Sequence, residues 1–309
     1  MSVAELLASL AAHGVDLWTE GGKLRFRAPK GALTPELRAR LTEQKDAVLA
    51  AVRELASQTV TTLPLSYSQL GLWLVHQNAP YSAAYNVSFS ARICSAVDVP
   101  AMQAAFQAIV DRHMTLRTVY TMQDDKPAQQ IYGYVPVNFE QVAVPNLSDE
   151  ALYQQVTAAY EQPFDLENGP VMRVRLFTRT PSDHILLLVV HHIALDGWSM
   201  WLLLDEFRVL YPAYVKGESS SLSRPEVDYP DFVRWQAELL NGGEGDKLWA
   251  YWQQQLSGEL PTLNLMGDHP RPLLPSYRGG SQVFVIDEST TRRLKELAKA
   301  EGVTLYMVL

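Results

Sequence analysis

Two adjacent histidines stand at the end of an apolar run, and an acidic residue and a glycine follow them closely. These residues are His191, His192, Asp196 and Gly197. Imidazole titrates near neutral pH, so a histidine is suited to act as a general base. A helix that opens at Gly197 would add free backbone N–H groups, which attract negative charge. The segment therefore predicts a catalytic site that combines a base, an acidic residue and N–H donors.

The elements around the histidines must position them. Residues 185–190 are continuously apolar, which predicts a strand that is covered on both faces. Neighbouring side chains on a strand point to opposite faces, so His191 and His192 cannot both face one cavity. We expect one of them to be structural and the other to be available for chemistry. A helical pattern is predicted over 200–214.

Plainer interpretations of these residues exist. A histidine pair is often a packing feature, and Asp196 can simply cap the following helix. Histidine and aspartate also bind metals, but no second cluster with metal-ligand spacing accompanies them, and the single Cys94 offers no set of thiolates. We therefore predict no metal site.

The composition describes a soluble globular protein. Of the 309 residues, 47% are hydrophobic and 19% are charged, enough for two domains. No apolar run approaches the ~20 residues that span a bilayer, and the N-terminus lacks a basic signal-peptide region. One cysteine cannot form an internal disulfide, which favours a cytoplasmic location.

Charge is spread unevenly along the chain. The net charge is −8; residues 1–57 hold eight basic and seven acidic side chains, and the remainder holds 18 and 27. An acidic body argues against a nucleic-acid-binding protein. The slightly basic N-terminal part requires a separate explanation.

The N-terminal part has a pattern of its own. It predicts an amphipathic helix over 2–13, a hairpin formed by 16–19 and 23–27, and one helix from Pro35 to about Ser57. A Thr-rich linker is expected over 58–63. Residues 1–57 thus form a predicted helix, hairpin and helix module.

The remaining sequence mixes helices and strands. Strands are predicted over 86–93, 115–120, 129–135, 171–178, 184–190 and 283–286, and helices over 66–77, 100–112, 148–162, 232–256 and 288–300. An irregular, Pro-rich connection is expected over 260–280. The sequence stops within the apolar run 304–309, so we expect it to be truncated inside a further lobe.

Four segments resemble, in order, the motifs of the condensation domains of nonribosomal peptide synthetases. The His191 to Ser199 stretch resembles the HHxxxDG signature. The others are similar to the family's first core motif, to RHxxLRT and to YxDFxxW; they are Leu65 to Trp73, Arg112 to Thr118, and Tyr229 to Trp235. The resemblance is somewhat closer to condensation domains that follow polyketide synthase modules.

The resemblance implies an α/β (α+β) fold with two chloramphenicol-acetyltransferase-like lobes around a tunnel. Residues 64–235 would be the N-terminal lobe and 236–309 the start of the C-terminal lobe. Later family motifs, including an arginine that pairs with the aspartate of HHxxxDG, are expected beyond Leu309. Residues 1–57 resemble a TubC-type docking domain, and 58–63 would be the linker.

The reaction implied by the resemblance is amide formation between a donor acyl thioester and an acceptor aminoacyl thioester. Phosphopantetheine arms of donor and acceptor carrier proteins would deliver both substrates, and no cofactor would bind directly. His192 would act as base or orienting group, and backbone N–H groups around Gly197 would bind the oxyanion. His191 and Asp196 would be structural.

Other side chains of the motifs receive structural roles. Arg112 and Arg117 would support the tunnel, although surface ion pairs are the plainer alternative. Aromatic side chains of the motifs are expected in the core: Trp73, Trp198, Tyr229 and Trp235.

A row of cations marks the predicted hairpin. Lys23, Arg25, Arg27 and Lys30 have no acidic residue between them, and alternation puts the first three on one face. This row is either a solvated face or a site for β-addition of an acidic C-terminal tail of an upstream synthase. The docking domain is expected to be a homodimer.

Other functions fit the sequence less well. Another HHxxxDG acyltransferase, such as a wax-ester, polyketide-associated or epimerisation type, is disfavoured by the docking module and by RHxxLRT. A heterocyclisation domain would carry an Asp-rich motif instead of the histidine pair and is excluded. The last alternative is a non-catalytic interaction fragment, and we expect this chain to be inactive without its second lobe.

Overall fold

The fold comes from a computed structural model that describes residues 2–20, 22–218, 222–223, 225–262, 269, 279 and 282–309. The helices are α1 (Val3–Ala12), α2 (Pro35–Glu43), α3 (Lys45–Gln58), α4 (Tyr67–Asn78), α5 (Val99–Arg112), α6 (Asp149–Tyr160), α7 (Gly197–Val215), α8 (Tyr229–Asn241), α9 (Gly243–Gln255), α10 (Glu288–Ala300) and α11 (Leu305–Val308). The strands are β1 (Asp16–Glu20), β2 (Lys23–Arg27), β3 (Val60–Pro64), β4 (Asn86–Ile93), β5 (Thr118–Gln123), β6 (Lys126–Tyr132), β7 (Phe139–Ala143), β8 (Met172–Thr180) and β9 (Asp183–His191).

The N-terminal module is a small domain with its own core. Three helices and the β1–β2 hairpin enclose the side chains of Leu6, Leu10, Val15, Leu37, Leu41, Val48 and Val52. The single helix predicted from Pro35 to Ser57 is wrong, because Gln44 leaves helical geometry (φ −105°, ψ 22°) and separates α2 from α3. A straight helix of that length would extend about 35 Å and carry its ends away from so small a core.

The hairpin forms where the sequence predicts it. Strands β1 and β2 are antiparallel, with Trp18 opposite Arg25 and Glu20 opposite Lys23. Gly22 has φ +72°, a conformation that favours glycine in the turn. Gly21 lies outside the described residues.

The main sheet of the larger body has the order β4-β9-β8-β7. The strand that carries the histidines, β9, lies inside the sheet between antiparallel β4 and β8, and its residues from Leu186 to His191 are all buried. The predicted buried strand is thus confirmed by the fold. Strand β7, which pairs in parallel with β8, is absent from the sequence prediction.

A second sheet of three strands has the order β3-β6-β5 and is antiparallel. The segment predicted to be a linker at 58–63 supplies its edge strand β3. Threonine and valine side chains suit an extended, half-buried strand. The polarity that suggests a linker arises because β3 is mostly exposed.

Helices α5 and α7 pack together over the apolar core, where the rings of Phe106 and Phe207 stack at 4.6 Å. Trp73 is buried in this core, as expected. Trp198 and Trp235, for which the sequence predicts burial, are 84% and 55% exposed. Both lie on outer faces of helices in the described part of the chain, so the prediction is wrong for these two rings.

Three further boundaries differ from the sequence prediction. The strand predicted over 115–120 begins as a 3-10 turn over Met114–Arg117. The helix predicted over 232–256 breaks at Gly242 (φ −100°, ψ 179°), where two successive glycines favour an interruption. Residues 283–286 form no strand in the part of the chain that the structure describes.

The chain folds into two compact units, residues 1–264 and 265–309. The second unit holds α10, which begins at its N-cap Asp287, and the short α11. The connection predicted over 260–280 falls largely outside the described residues. Within the described residues, no helix is long and apolar enough to span a bilayer.

Candidate functional site

The chain turns sharply after β9, and backbone hydrogen bonds fix the turn. The N–H of His191 donates to the carbonyl of Val171 at 2.9 Å, and the N–H of His192 donates to the carbonyl of Tyr85 at 2.8 Å. The N–H of Ile193 donates to Nδ1 of His191 at 3.1 Å. Asp196 then caps α7. The two histidines therefore sit on a backbone that the neighbouring strands hold in place.

His191 is buried, with 3% of its surface exposed. Burial lowers its pKa to about 4, and the nearby His76 and His192 add to the effect. Its ring lies 6.1 Å from that of His76 and 6.0 Å from that of Phe164, both in edge-on contact. At neutral pH the His191 ring is uncharged and carries its proton on Nε2, because Nδ1 accepts a hydrogen bond.

His192 is the first residue of the turn, and its side chain lines a cleft of about 880 Å³. Residues from each of the four sequence motifs line this cleft: Gln69, Arg112, His192, Asp196 and Tyr229. Segments separated by up to about 160 positions in the chain thus meet around one imidazole. The expectation that the two histidines face different surroundings agrees with this geometry.

Asp196 acts as the N-cap of α7. Its Oδ1 accepts the N–H of Ser199 at 2.8 Å and the hydroxyl of the same residue at 2.7 Å. These hydrogen bonds hold the pKa of the Asp196 carboxyl below its usual range. Gly197 is the first residue of α7, and no atom lies within 4 Å of the position that a Cβ would take. The backbone of Gly197 is therefore accessible to another molecule, and the negative carboxylate of Asp196 lies beside it.

An ionic cluster forms one wall of the cleft. Glu206 lies 3.2 Å from Nη2 of Arg112 and 2.8 Å from Nε2 of His113, and all three side chains are at least four-fifths buried. Burial alone would raise the pKa of Glu206, but His113 and then Arg112 together lower it. Arg112 also donates to the carbonyl of Ser223 at 2.8 Å. Arg112 is therefore part of a buried cluster and not a surface ion pair.

Sequence reasoning missed Glu206. The signal was present, because Leu203, Glu206 and Leu210 follow one another at helical spacing on the buried face of α7. An acidic side chain on an apolar stripe requires a partner, and RHxxLRT supplies two.

Arg117 lies outside the cleft and binds backbone carbonyls. It donates to the backbone carbonyls of Val110, Asp111, Tyr132 and Gly133, with Nε of Arg117 at 3.1 Å from Val110. It joins the end of α5 to the end of β6 and is not among the residues that line the cleft. Its position supports the fold around the RHxxLRT segment and not the cleft itself.

The basic row on the hairpin is divided by the structure. Nζ of Lys23 donates to the carbonyls of Glu218 at 3.1 Å and Gly217 at 3.5 Å, beyond the end of α7, and lies 5.5 Å from the centre of the Tyr214 ring. Arg25 is half-buried, whereas Arg27 and Lys30 are exposed. Lys23 thus binds the larger body and does not stand in one solvent-facing row with the others.

The module and the larger body also meet at Gly133. Its N–H donates to the carbonyl of Thr59 at 3.0 Å, and a Cβ at this position would lie 2.7 Å from the carbonyl oxygen of Ala56 in α3. The guanidinium carbon of Arg53 in α3 lies 5.3 Å from the centre of the Tyr134 ring.

No group of side chains suited to bind a metal occurs among the described residues.

Residues 59–309 match the condensation domain family, and residues 3–54 match the TubC N-terminal docking domain. The chain belongs to the condensation domain family. The predicted family and fold class are thereby confirmed, as is the docking domain that precedes it.

Named relatives agree with this assignment. Over 251 residues, which are 80% of this chain, it is 38% identical to the chondramide synthase cmdD of Chondromyces crocatus, and it spans 6% of that synthase. It is similar to the X-domain in the complex of the X-domain and OxyB from teicoplanin biosynthesis (27% identity, TM-score 0.69, 78% of this chain and 53% of that one).

A second solved structure extends over the docking module. It concerns condensation domain-mediated chain release from the enacyloxin polyketide synthase, at 25% identity and a TM-score of 0.58, and the match covers 99% of this chain and 62% of that one. The chain thus spans only a small part of the synthase named above and about half to three-fifths of the two solved chains.

Proposed function

We propose that the chain belongs to a synthetase in which it helps to form an amide bond between two carrier-bound thioesters. The observation that carries this proposal is the position of His192, which lines the cleft formed by four family motifs while its neighbour His191 is buried. The cleft is large enough for the reacting ends of two extended substrates.

In the proposed reaction, the acceptor amine attacks the carbonyl carbon of the donor thioester. A C–N bond forms, the C–S bond breaks, and a proton passes from the amine nitrogen to the departing sulfur. His192 takes the proton from the amine and returns it to the thiolate, or orients the amine for attack. Both roles require an imidazole that faces the cleft, and the buried His191 does not meet that requirement.

The surroundings of His192 assign the remaining roles. Asp196 carries its charge at the same helix end as Gly197, so the two groups act on the site in opposite directions: the N–H groups near Gly197 attract an oxyanion and the carboxylate repels it. We propose that Gly197, which adjoins the lining residue Asp196 but does not itself line the cleft, donates its N–H, and that Asp196 shapes the turn. Arg112 and Glu206 hold the cleft wall, and Arg117 supports the fold around the RHxxLRT segment.

We propose specific partners for the docking domain and for the condensation domain. Donor and acceptor carrier proteins present substrates on phosphopantetheine arms. An acidic C-terminal tail of an upstream synthase adds to the hairpin near Arg25, Arg27 and Lys30, and the module forms a homodimer. The exposed charges of Arg27 and Lys30 support the tail site.

The proposed domain bounds are residues 1–57 for the docking domain, 64–235 for the N-terminal lobe and 236–309 for the start of the C-terminal lobe.

The test uses the synthetase that contains this chain, with both carrier proteins loaded, in a single-turnover assay. We expect His192→Ala to lower the rate of amide formation by at least ~100-fold, the scale of a lost general base. A matched control is His184→Ala, which removes a buried histidine near the opposite end of β9, away from the residues that line the cleft. Product formation by His192→Ala at the rate of the control would overturn the proposal.

A further inference from the structure

A line of hydrogen-bonded polar groups, all buried except the half-buried Tyr229, runs from the cleft to the histidine turn. The hydroxyls of Tyr229 and Ser66 lie 2.7 Å apart. The side chain of Gln69 accepts the N–H of Ser66 at 3.0 Å and donates to the hydroxyl of Tyr120 at 3.2 Å. The Tyr120 hydroxyl in turn donates to the carbonyl of Ile193 at 3.3 Å.

The direction of each hydrogen bond from Gln69 to Ile193 is determined. Oε1 of Gln69 is occupied by a backbone N–H, so its amide NH₂ faces Tyr120 and donates. Tyr120 therefore accepts from Gln69 and has its own proton for Ile193, whose carbonyl can only accept. Gln69 and Tyr120 are 1% and 0% exposed, so water does not compete for these bonds.

The turn that carries His192 is held on both sides of that residue. Before it, the N–H of His192 is bound by the carbonyl of Tyr85. After it, the Ile193 N–H is bound by His191 and the Ile193 carbonyl by Tyr120. The N–H groups of His192 and Ile193 belong to the two peptide groups that flank His192, and the Ile193 carbonyl belongs to the next one. Tyr120 therefore anchors the turn one peptide group beyond His192.

We propose that Tyr120 and Gln69 are positioning residues for His192. The sequence assigns a role to neither of them, although Gln69 lies within the Leu65 to Trp73 motif. This inference rests on the proposed function, since it assigns to both residues the task of keeping the His192 imidazole at the reacting amine. Correct orientation of reacting groups has large effects on rate, and a displacement of about 1 Å can cost ~100-fold.

The test removes hydrogen-bonding side-chain groups one at a time. Tyr120→Phe keeps the ring and loses the hydrogen bonds to Ile193 and Gln69. Gln69→Met removes the hydrogen bonds of the Gln69 side chain to Ser66 and Tyr120 but leaves Tyr120 donating to Ile193. Tyr211→Phe is the control, because its hydroxyl also binds backbone, the N–H of Asp98 at 3.0 Å, away from the turn. Rates are measured in the whole synthetase per folded protein, with folding followed by near-ultraviolet circular dichroism.

We expect Tyr120→Phe to lower kcat for amide formation roughly 10- to 100-fold with the KM of the acceptor within about twofold. Gln69→Met should lower kcat by less than about fivefold, since Tyr120 still donates, and Tyr211→Phe should leave it unchanged. Hydrogen exchange of the Ile193 and Ala194 amides should accelerate at least about tenfold in Tyr120→Phe alone, because the turn loses one of its anchors.

The outcomes separate this inference from the proposed function. If His192→Ala is inactive while Tyr120→Phe keeps full kcat, the positioning role is wrong and the proposed function stands. If His192→Ala is active, the proposed function fails, and unchanged amide exchange in Tyr120→Phe would show that Tyr120 does not hold the turn either. Equal losses in Tyr120→Phe and Tyr211→Phe would also overturn the positioning role.

Discussion

Nδ1 of His191 accepts the backbone N–H of Ile193 at 3.1 Å, so protonation of this nitrogen would break a buried hydrogen bond. The His191 ring thus stabilises the turn through this hydrogen bond. Its low pKa follows from burial, and that low pKa makes the stability of the fold depend on pH.

The first prediction concerns this pH dependence. The pKa of His191 is about 4 in the folded chain and ~6.5 when unfolded, so the unfolded state binds more protons between these values. The contribution of the uncharged His191 ring to the free energy of unfolding is complete above pH 6.5 and is lost as the pH falls toward 4. We expect the free energy of unfolding to drop by about 2–3 kcal/mol between pH 7.5 and pH 4.5 from this group.

The variant His191→Asn isolates that contribution. Its amide oxygen can accept the Ile193 N–H, but the side chain does not titrate. Urea unfolding at several pH values should give a shallower acid dependence for His191→Asn than for the wild type. The carboxylates titrate in both proteins, so their effect cancels. Identical pH profiles would contradict the assignment.

The second prediction concerns Glu206. Glu206→Ala leaves the buried Arg112 and His113 without their acidic partner, and breaking a buried ionic cluster costs about 3–5 kcal/mol. Asp205→Ala, which removes the exposed ion pair with Arg208, is the matched control and should change stability by less than about 1 kcal/mol. Chemical unfolding measures both, and a loss of similar size in the two variants would show that the cluster does not stabilise the lobe.

The third prediction concerns the junction between the docking module and the larger body. Gly133→Ala places a methyl group 2.7 Å from the Ala56 carbonyl oxygen, closer than atoms in contact can lie. We expect a loss of about 1–3 kcal/mol in the free energy of unfolding. Gly71→Ala, within α4 and with no atom near the new Cβ, should instead stabilise by up to about 1 kcal/mol.

Thermal melting of the two glycine variants decides this prediction. The melting temperature of Gly133→Ala should fall and that of Gly71→Ala should rise. A Gly133→Ala protein that melts with the wild type would mean that α3 and the loop after β6 do not approach as closely as described.

The fourth prediction concerns the hairpin and an acidic tail peptide. Arg25 and Arg27 replaced together by Glu should nearly abolish binding, because the attraction becomes repulsion. Binding should also weaken between about 50 mM and about 300 mM salt, since exposed charges are screened. Lys23→Met should keep the affinity within about threefold, because Lys23 binds carbonyls after α7.

Calorimetric titration of the wild type and these variants is the measurement. If Lys23→Met weakens binding as much as the double reversal does, Lys23 serves the tail and not the larger body. Affinity that responds neither to salt nor to Arg25 and Arg27 would make the basic row a solvated face.

The sequence predicts well what local pattern controls. The apolar run before His191 predicts the buried strand β9, and Ser66 and Thr34 mark the helix starts that the structure shows. The sequence also predicts that the two histidines have different surroundings, although β9 ends at His191 and the turn, not strand alternation, separates them. These properties depend on neighbours in the chain, which a sequence displays directly.

The features that the sequence does not predict depend on distant partners. A linker is predicted in place of strand β3 because nothing in its residues reveals that β6 lies beside it. Tyr120 and Gln69 are 51 positions apart, and only the fold shows that they meet. Lys23 belongs to a basic row in sequence, yet its partners lie near residue 217, so the role predicted for it differs from the one the structure shows.

Helix α7 has 19 residues and therefore measures about 28 Å from end to end. It begins at the cap beside the cleft, and the chain just beyond its other end is bound by Lys23 of the hairpin. Under the proposed function, a substrate presented by a protein bound at that hairpin has to cross this distance to reach His192. The tether, the carrier protein and its phosphopantetheine arm together span it. The length of α7 therefore sets the combined reach that an upstream partner needs.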